Sequence, residues 1–183
     1  MTENIKSVFS ICSTLIENQY YKKFGFVGDI YHCRGFYERY IAMKEALAFH
    51  NLDYKTDYSI LKPDSFPYGD KSEMMQVILN MEEVPEVFVC ANDSIALSLT
   101  DALLALGYKT PKDICVIGFD NTVESQINKP SLTTIDIDKK ALGRQAITTL
   151  IEKIKHPQSL NRTIYLNTNI IYRDTTPAIY KRT

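Results

Sequence analysis

The chain has 183 residues, 45% of them apolar and 23% charged, with 21 basic against 22 acidic side chains and a formal net charge of −1. This is ordinary for a folded protein of one large domain or two small lobes, and it excludes a chain that grips nucleic acid through a broadly positive surface. The basic residues are scattered, and the one dense spot is Lys181-Arg182 at the tail. No apolar run approaches the ~20 residues of a membrane span, and Met1 to Lys6 is too polar for a signal-peptide core. A cytoplasmic protein with no membrane partner is therefore expected. The four cysteines (Cys12, Cys33, Cys90, Cys115) form no CxxC pair, and His32, His50 and His156 have no ligand spacing. Free thiols in a reducing compartment are expected, with no metal and no cofactor.

Along the chain, Ile5, Val8, Phe9, Cys12, Leu15 and Ile16 make a helical stripe that Asn4 is placed to cap. Phe24 to Gly28 reads as a short apolar strand, Phe36 to Phe49 as a helix and Tyr58 to Leu61 as a strand. A loop of turn residues follows, from Lys62 to Gly69. Asp70 with Glu73 forms a capping pattern for a helix through Met81. Val87 to Cys90 is a strand, and Asp93 or Ser94 opens a helix that stops at Gly107. Ile114 to Ile117 and Leu132 to Ile135 are further strands. Asp138 caps a long helix ended by His156-Pro157, and Thr163 to Arg173 alternates like a strand before a frayed tail.

Helices alternating with continuous apolar strands predict an α/β fold with a parallel sheet covered on both faces. In such sheets ligands sit beyond the carboxyl ends of the strands. Three strands end there in polar residues: Gly28-Asp29, Asn92-Asp93 and Gly118-Phe119-Asp120. Asn92 supplies donors and an acceptor and Asp120 acceptors, a mixture suited to sugar hydroxyls. Arg39, one turn into the helix after the first strand, is a fork for two adjacent oxygens, and Phe66 and Tyr68 are aromatic faces for a ring. Each residue also has a plainer role open to it. Asp93 suits a helix cap, Asn92 a loop contact, Asp120 the cap of a turn near Thr122 to Ser125, Arg39 an ion pair with Glu38 or Asp29, and Phe66 the core. Thr133 and Thr134 suit a crossover between lobes.

The segments Val89-Cys-Ala-Asn-Asp93-Ser-Ile-Ala96, Pro111-Lys-Asp-Ile-Cys-Val-Ile-Gly-Phe-Asp120, Pro130-Ser-Leu-Thr-Thr-Ile135 and Ile170-Ile-Tyr-Arg173-Asp-Thr175 resemble the LacI/GalR family of repressors, in its order and spacing. The resemblance implies a periplasmic-binding-protein-like (type I) fold: one complete lobe plus remnants of the other. On that division residues 1–23 and 131–157 belong to the first lobe, 24–130 and 158–176 to the second, and 177–183 are tail. It implies ligand contacts by Arg39, Asn92 and Asp120, with Phe66 aligned loosely as the stacking residue and Ala42 where the family usually has glycine. It also implies a sugar effector, and operator DNA bound only through a helix-turn-helix head that these residues lack.

Two association surfaces are expected. Ile95 to Leu106 carries nine apolar residues out of twelve, so Leu97, Thr100 and Leu104 are candidates for a homodimer face, the alternative being a helix buried on both sides. The helices from Ile5 and from Asp138 should lack most of their partners, because most of the first-lobe sheet is missing, and should pack on each other, on another copy or by swapping. An exported sugar-binding protein of a transport system is the second functional reading. A Mg²⁺-dependent enzyme using Asp93 and Asp120 is a remote third, since no phosphate loop, nucleophile elbow or positioned His or Cys nucleophile is present.

Overall fold

Three of the apolar runs form one parallel sheet in the computed structural model, which describes residues 1–178. Lys181-Arg182 lies outside the described residues. Strands β1 (Phe24–Val27), β2 (Val87–Cys90) and β3 (Cys115–Ile117) lie in the order β1-β2-β3, with Phe24 opposite Val87 and Val87 opposite Cys115. Every residue in them is buried, which is why they carry no polar alternation. The helices are α1 (Lys6–Gln19), α2 (Arg34–Phe49), α3 (Lys71–Leu79), α4 (Asp93–Ala105), a short α5 (Val123–Ile127) and α6 (Lys139–Lys155).

Both edges of the sheet are covered by single residues. On the β1 side the expected strand Tyr58 to Leu61 reduces to one parallel bridge, Ile60 with Val27, after a 3-10 turn at Thr56–Tyr58. The chain crosses so close there that a Cβ on Gly25 would lie 1.8 Å from the Tyr58 carbonyl oxygen. On the β3 side Thr133 bridges Ile117. Thr175 also accepts from the Val116 amide at 3.0 Å and donates through its hydroxyl to the Val116 carbonyl at 2.7 Å. Thr175 and Thr176 are buried, so the chain beyond Arg173 is docked through Thr176 rather than frayed from there.

Right-handed crossovers then assign the faces. Helix α2 leads from β1 outward to Ile60, whereas α3 returns to β2 and α4 continues to β3. So α2 covers one face and α3 with α4 the other. Helix α1 packs on α2 and buries Val8, Ile11, Cys12 and Leu15 in the same core as the sheet. The expectation that α1 lacks most of its partners is corrected: its stripe closes on α2, not on a missing sheet. Its cap is corrected too. The Glu3 carboxylate accepts from the amides of Ile5 (2.5 Å), Lys6 and Ser7 (3.3 Å), while Asn4 turns inward.

Asn92 rather than Asp93 or Ser94 caps α4, its Oδ1 accepting from the Ile95 amide at 2.9 Å. The inner face of α4 buries Ile95, Ala96, Leu99, Ala102 and Leu103. Thr100, expected on a dimer face, is also fully buried, its hydroxyl donating to the Ala96 carbonyl at 2.7 Å, so it faces no partner. Leu97 is partly buried, and Leu104 is 39% exposed.

The strand expected at Leu132 to Ile135 begins two residues later, as β4 (Thr134–Asp136). Of the long strand expected at Thr163 to Arg173 only β5 (Asn169–Ile171) is regular, antiparallel to β4, with one further bridge from Leu166 to Thr2. Helix α6 buries no residue; Ile147, Leu150, Ile151 and Ile154 are 46–68% exposed. All four cysteines are free. Cys12, Cys90 and Cys115 are buried, with the Cys115 thiol pushed up to about 11 by burial, whereas Cys33 is exposed. Among the described residues no helix is long and apolar enough to cross a membrane, and no group of three potential metal ligands occurs.

Gly25→Ala should lower stability by about 1–3 kcal/mol or more, because the new methyl group has no room beside Tyr58. A urea-unfolding midpoint unchanged from wild type would show that the 55–60 segment yields instead.

Candidate functional site

The connections diverge between β1 and β2: α2 leaves β1 toward one edge and α4 leaves β2 toward the other. That divergence is the switch point at which open α/β sheets leave a crevice beyond their strand ends. The two ends approach closely. Gly28 has φ +144°, and a Cβ on it would lie 2.5 Å from the Ala91 methyl.

Arg39 reaches into this crevice from α2 and is only 7% exposed. Its Nη1 donates to the Ala91 carbonyl at the end of β2, and its Nε and Nη2 donate to Asn4 Oδ1 at 3.1 and 3.0 Å. Its Cζ lies 3.5 Å from the centre of the Phe119 ring, a stacking that offsets part of the cost of burying the charge. Of five guanidinium N–H groups, three are therefore spent and two remain. Neither Glu38 nor Asp29 pairs with it; Glu38 pairs with Arg34 at 2.6 Å. Burial pushes the Arg39 value down, opposed by the charges of Asp120, Cys33 and Asp93.

Asp120 follows Phe119 and is half-buried, with φ +113°, and Asn121 has φ +49°. Two consecutive non-glycine residues at positive φ are strained. They are held by bonds from three sides. The Asp120 amide donates to the Ile135 carbonyl at 2.9 Å, Lys139 donates to the Asp120 carbonyl, and Arg173 Nη2 donates to Asn121 Oδ1 at 2.6 Å. The Asp120 carboxylate accepts no hydrogen bond among the described residues. Burial raises its value, and the nearby Arg39 charge opposes that. The turn after it is capped by Thr122, not Asp120.

Asn92 spends its Oδ1 on the α4 cap, which leaves the amide nitrogen free. Asp93 is fully buried and bonded within the chain. Its carboxylate accepts from the Thr134 hydroxyl at 2.5 Å and the Thr122 amide at 2.8 Å. Phe66 lies half-buried in its loop, edge-on to Tyr68 at 5.0 Å. That loop is fastened to the β1–α2 loop, since Asp29 Oδ2 accepts from the Asp64 amide at 2.9 Å and His32 Nδ1 meets Asp64 Oδ2 at 2.8 Å.

Arg39 is thus held against Phe119, the residue before Asp120, without an ion pair between Arg39 and Asp120, and Asn92 follows the neighbouring strand end. The wall is open. A surface hollow of about 990 Å³ between the end of α6 and residues 159–162 shares no residue with it. Lined by exposed side chains, that hollow offers no buried polar group, so the wall at the switch point is the better candidate. Sequence reasoning missed Asn4, Lys139, Asn121 and Arg173. Asn4 next to a helix start is indistinguishable from a cap by spacing, and positive φ at Asp120-Asn121 leaves no mark in composition.

Asp93→Ala leaves two buried donors without an acceptor and should cost about 2–4 kcal/mol in urea unfolding. Asp93→Asn keeps the shape and tests the charge. Burial raises the Asp93 value above its ordinary 3.8, so its contribution to stability is fully present below 3.8 and is lost as pH rises through the raised value. Relative to Asp93→Asn, the wild type should therefore melt at a comparatively higher temperature at pH 4 than at pH 7. A difference that does not change with pH would contradict this.

The chain matches the periplasmic binding protein-like domain over residues 14–176. It is 32% identical over 157 residues to the NTD biosynthesis operon regulator NtdR of Bacillus subtilis (strain 168), covering 85% of this chain and 47% of that protein. It is 35% identical over 136 residues to the HTH-type transcriptional repressor PurR of Mannheimia succiniciproducens, covering 74% and 40%. The chain thus spans less than half the length of these relatives. Among solved structures it superposes on a LacI transcriptional regulator from Bacillus cereus subsp. cytotoxis (TM-score 0.85, 21% identity, 98% of this chain and 62% of that one). It also superposes on a complex of the regulator CelR with cellobiose (TM-score 0.84, 20% identity, 95% and 52%). A third match is a LacI family regulator from Enterococcus faecium with bound ribose (TM-score 0.80, 22% identity, 98% and 65%). The chain belongs to the periplasmic binding protein-like domain family, whose model it matches over most of its length.

Proposed function

We propose that this chain binds a sugar or sugar derivative as the effector of a cytoplasmic LacI/GalR-type transcriptional repressor, and that it is not an enzyme. One observation carries the reading. At the switch point, Arg39 keeps two N–H donors unspent among the described residues and stacks on Phe119, and the carboxylate of the next residue, Asp120, accepts no hydrogen bond among the described residues. Adjacent hydroxyls of a sugar need that pairing of fixed donors with a free acceptor. Asn92 adds an amide donor, and Phe66 is the aromatic face for the ring. The ribose and cellobiose bound by regulators of the same fold support the ligand class.

On this reading the sheet with α1 to α5 is one lobe, α1 included, and α6 with residues 1–3 and 156–168 belongs to the other. The chain crosses between them near Asn4, Thr133 to Asp136 and Asn169 to Arg173. Effector closes the crevice and shifts the population of lobe arrangements, and operator DNA is released through a separate helix-turn-helix head. A homodimer forms through the outer side of α4, with Leu97 and Leu104 but without Thr100.

Calorimetric titration against a panel of mono- and disaccharides should find at least one binder. Arg39→Ala and Asp120→Asn should each weaken it by about ten- to a hundredfold, the worth of a charged hydrogen bond. A panel with no binder, or an Arg39→Ala chain that binds as well as wild type, would overturn the reading. For the dimer, Leu104→Glu should halve the mass seen by sedimentation equilibrium; an unchanged mass rejects that face.

A further inference from the structure

We propose that Asn4 is the positioning residue for the Arg39 guanidinium, and so ties effector recognition to the first crossing segment. The inference rests on the reading that Arg39 contacts effector, but its geometry stands apart from it.

Asn4 is 5% exposed and all of its side-chain bonding is fixed. Its Oδ1 accepts both Nε and Nη2 of Arg39, while its Nδ2 donates to Glu38 Oε2 at 2.8 Å and to the Thr2 carbonyl at 3.1 Å. A flipped amide would set its NH₂ against a guanidinium and its oxygen against a carboxylate and a carbonyl, so the network admits one orientation. With Ala91 holding Nη1, the guanidinium is gripped at both edges and lies flat on Phe119. Turning it to meet a ligand differently breaks charged hydrogen bonds on both sides. The two remaining N–H groups are therefore aimed before any ligand arrives, which removes ordering cost from binding.

Asn4 is also rooted away from Arg39. The segment before it is held by the 164–166 stretch: the Met1 amine donates to the Ile164 carbonyl at 2.8 Å, the Leu166 amide to the Met1 carbonyl at 2.9 Å, and the Glu3 amide to the Leu166 carbonyl at 2.9 Å. Ser7 and Thr168 add a hydroxyl contact at 2.7 Å. Any displacement of that pair of stretches moves the Asn4 amide and with it the plane of Arg39. By linkage, a ligand that prefers one plane of Arg39 prefers one placement of the segment.

The test reads the Arg39 Nε–Hε signal by nitrogen-15 NMR on the whole 183-residue chain, assigned with Arg39→Lys. The wild-type signal should be resolved and exchange with water at least about tenfold more slowly than exposed arginines. Asn4→Ala should return it to the exposed group. Asn4→Asp combined with Glu38→Gln restores an acceptor oxygen without an acid pair, and should keep the slow signal. In parallel, titration with D-ribose and with cellobiose should show that Asn4→Ala weakens whichever sugar the wild type binds by about tenfold or more, while the double variant stays within about threefold. If Asn4→Ala does not fold, the wild-type and double-variant signals decide. A wild-type Arg39 signal that exchanges like an exposed arginine overturns the proposal, as does an Asn4→Ala chain whose signal and affinity match wild type. Binding of neither sugar by the wild type counts against the ligand class, while the exchange rates still settle the role of Asn4.

Discussion

Asp93 sits with its carboxylate fully buried where the end of β3, the start of α4 and the first residue of β4 meet. Burying a carboxylate is costly, and the cost is offset by the Thr134 hydroxyl and the Thr122 amide. The fit leaves no slack: a Cβ on Gly118 would lie 2.2 Å from Asp93 Oδ1 and 2.7 Å from the Leu132 side chain. This contact fixes the sheet, the Asp120 turn and the crossing strand to one another. Arg173 extends it, donating to the Leu132 carbonyl at 2.8 Å as well as to Asn121, while Asn121 Nδ2 donates to Asp136 at 2.7 Å. The strain of the Asp120-Asn121 pair, about 1–3 kcal/mol per residue, is sustained by these bonds.

The same arrangement explains why recognition groups collect at one place. A switch point opens a gap only because two connections diverge, and the gap is lined by whatever follows the strands. Here β1 is followed by the helix carrying Arg39, β2 by Asn92 and β3 by Phe119-Asp120. Two of them are held by residues distant in sequence, Arg39 by Asn4 and Asp120 by Ile135 and Lys139, and the neighbouring Asn121 is held by Arg173. On the proposed division into lobes, wall and hinge share one hydrogen-bond network.

The sequence made the sheet and the recognition residues legible to different degrees. Val87 to Cys90 is found at the boundaries its apolar run predicts, because a strand buried on both faces cannot be polar anywhere. Asn92 and Asp120 follow the ends of β2 and β3, while Arg39 reaches them from α2 through its stacking on Phe119. The division of labour between Asn92 and Asp93 was not legible, because either residue type caps a helix and only the tertiary position of Thr134 and Thr122 decides which is free to do so. Thr100, expected on a dimer face with Leu97 and Leu104, has its hydroxyl satisfied within its own helix, which lets it be buried. The α1 stripe misled for another reason: amphipathicity says that a face is covered, not by what.

The two sides of the crossings are unequal in a way that bears on the proposed regulation. The wall is over-determined, since Asp93 and Asn121 are bonded to two partners each and Arg39 is gripped by Asn4 and Ala91. Helix α6 is the opposite case. It has an Asp138 cap but no buried side chain, and an isolated helix of its length is marginal in water. Local stability should therefore fall steeply from the sheet to α6. A ligand bound to such a wall has little to rearrange there. On the proposed function, its free energy goes into choosing among placements of the softer side, as a regulator needs if one small molecule is to act at a distance without disturbing the site that recognised it.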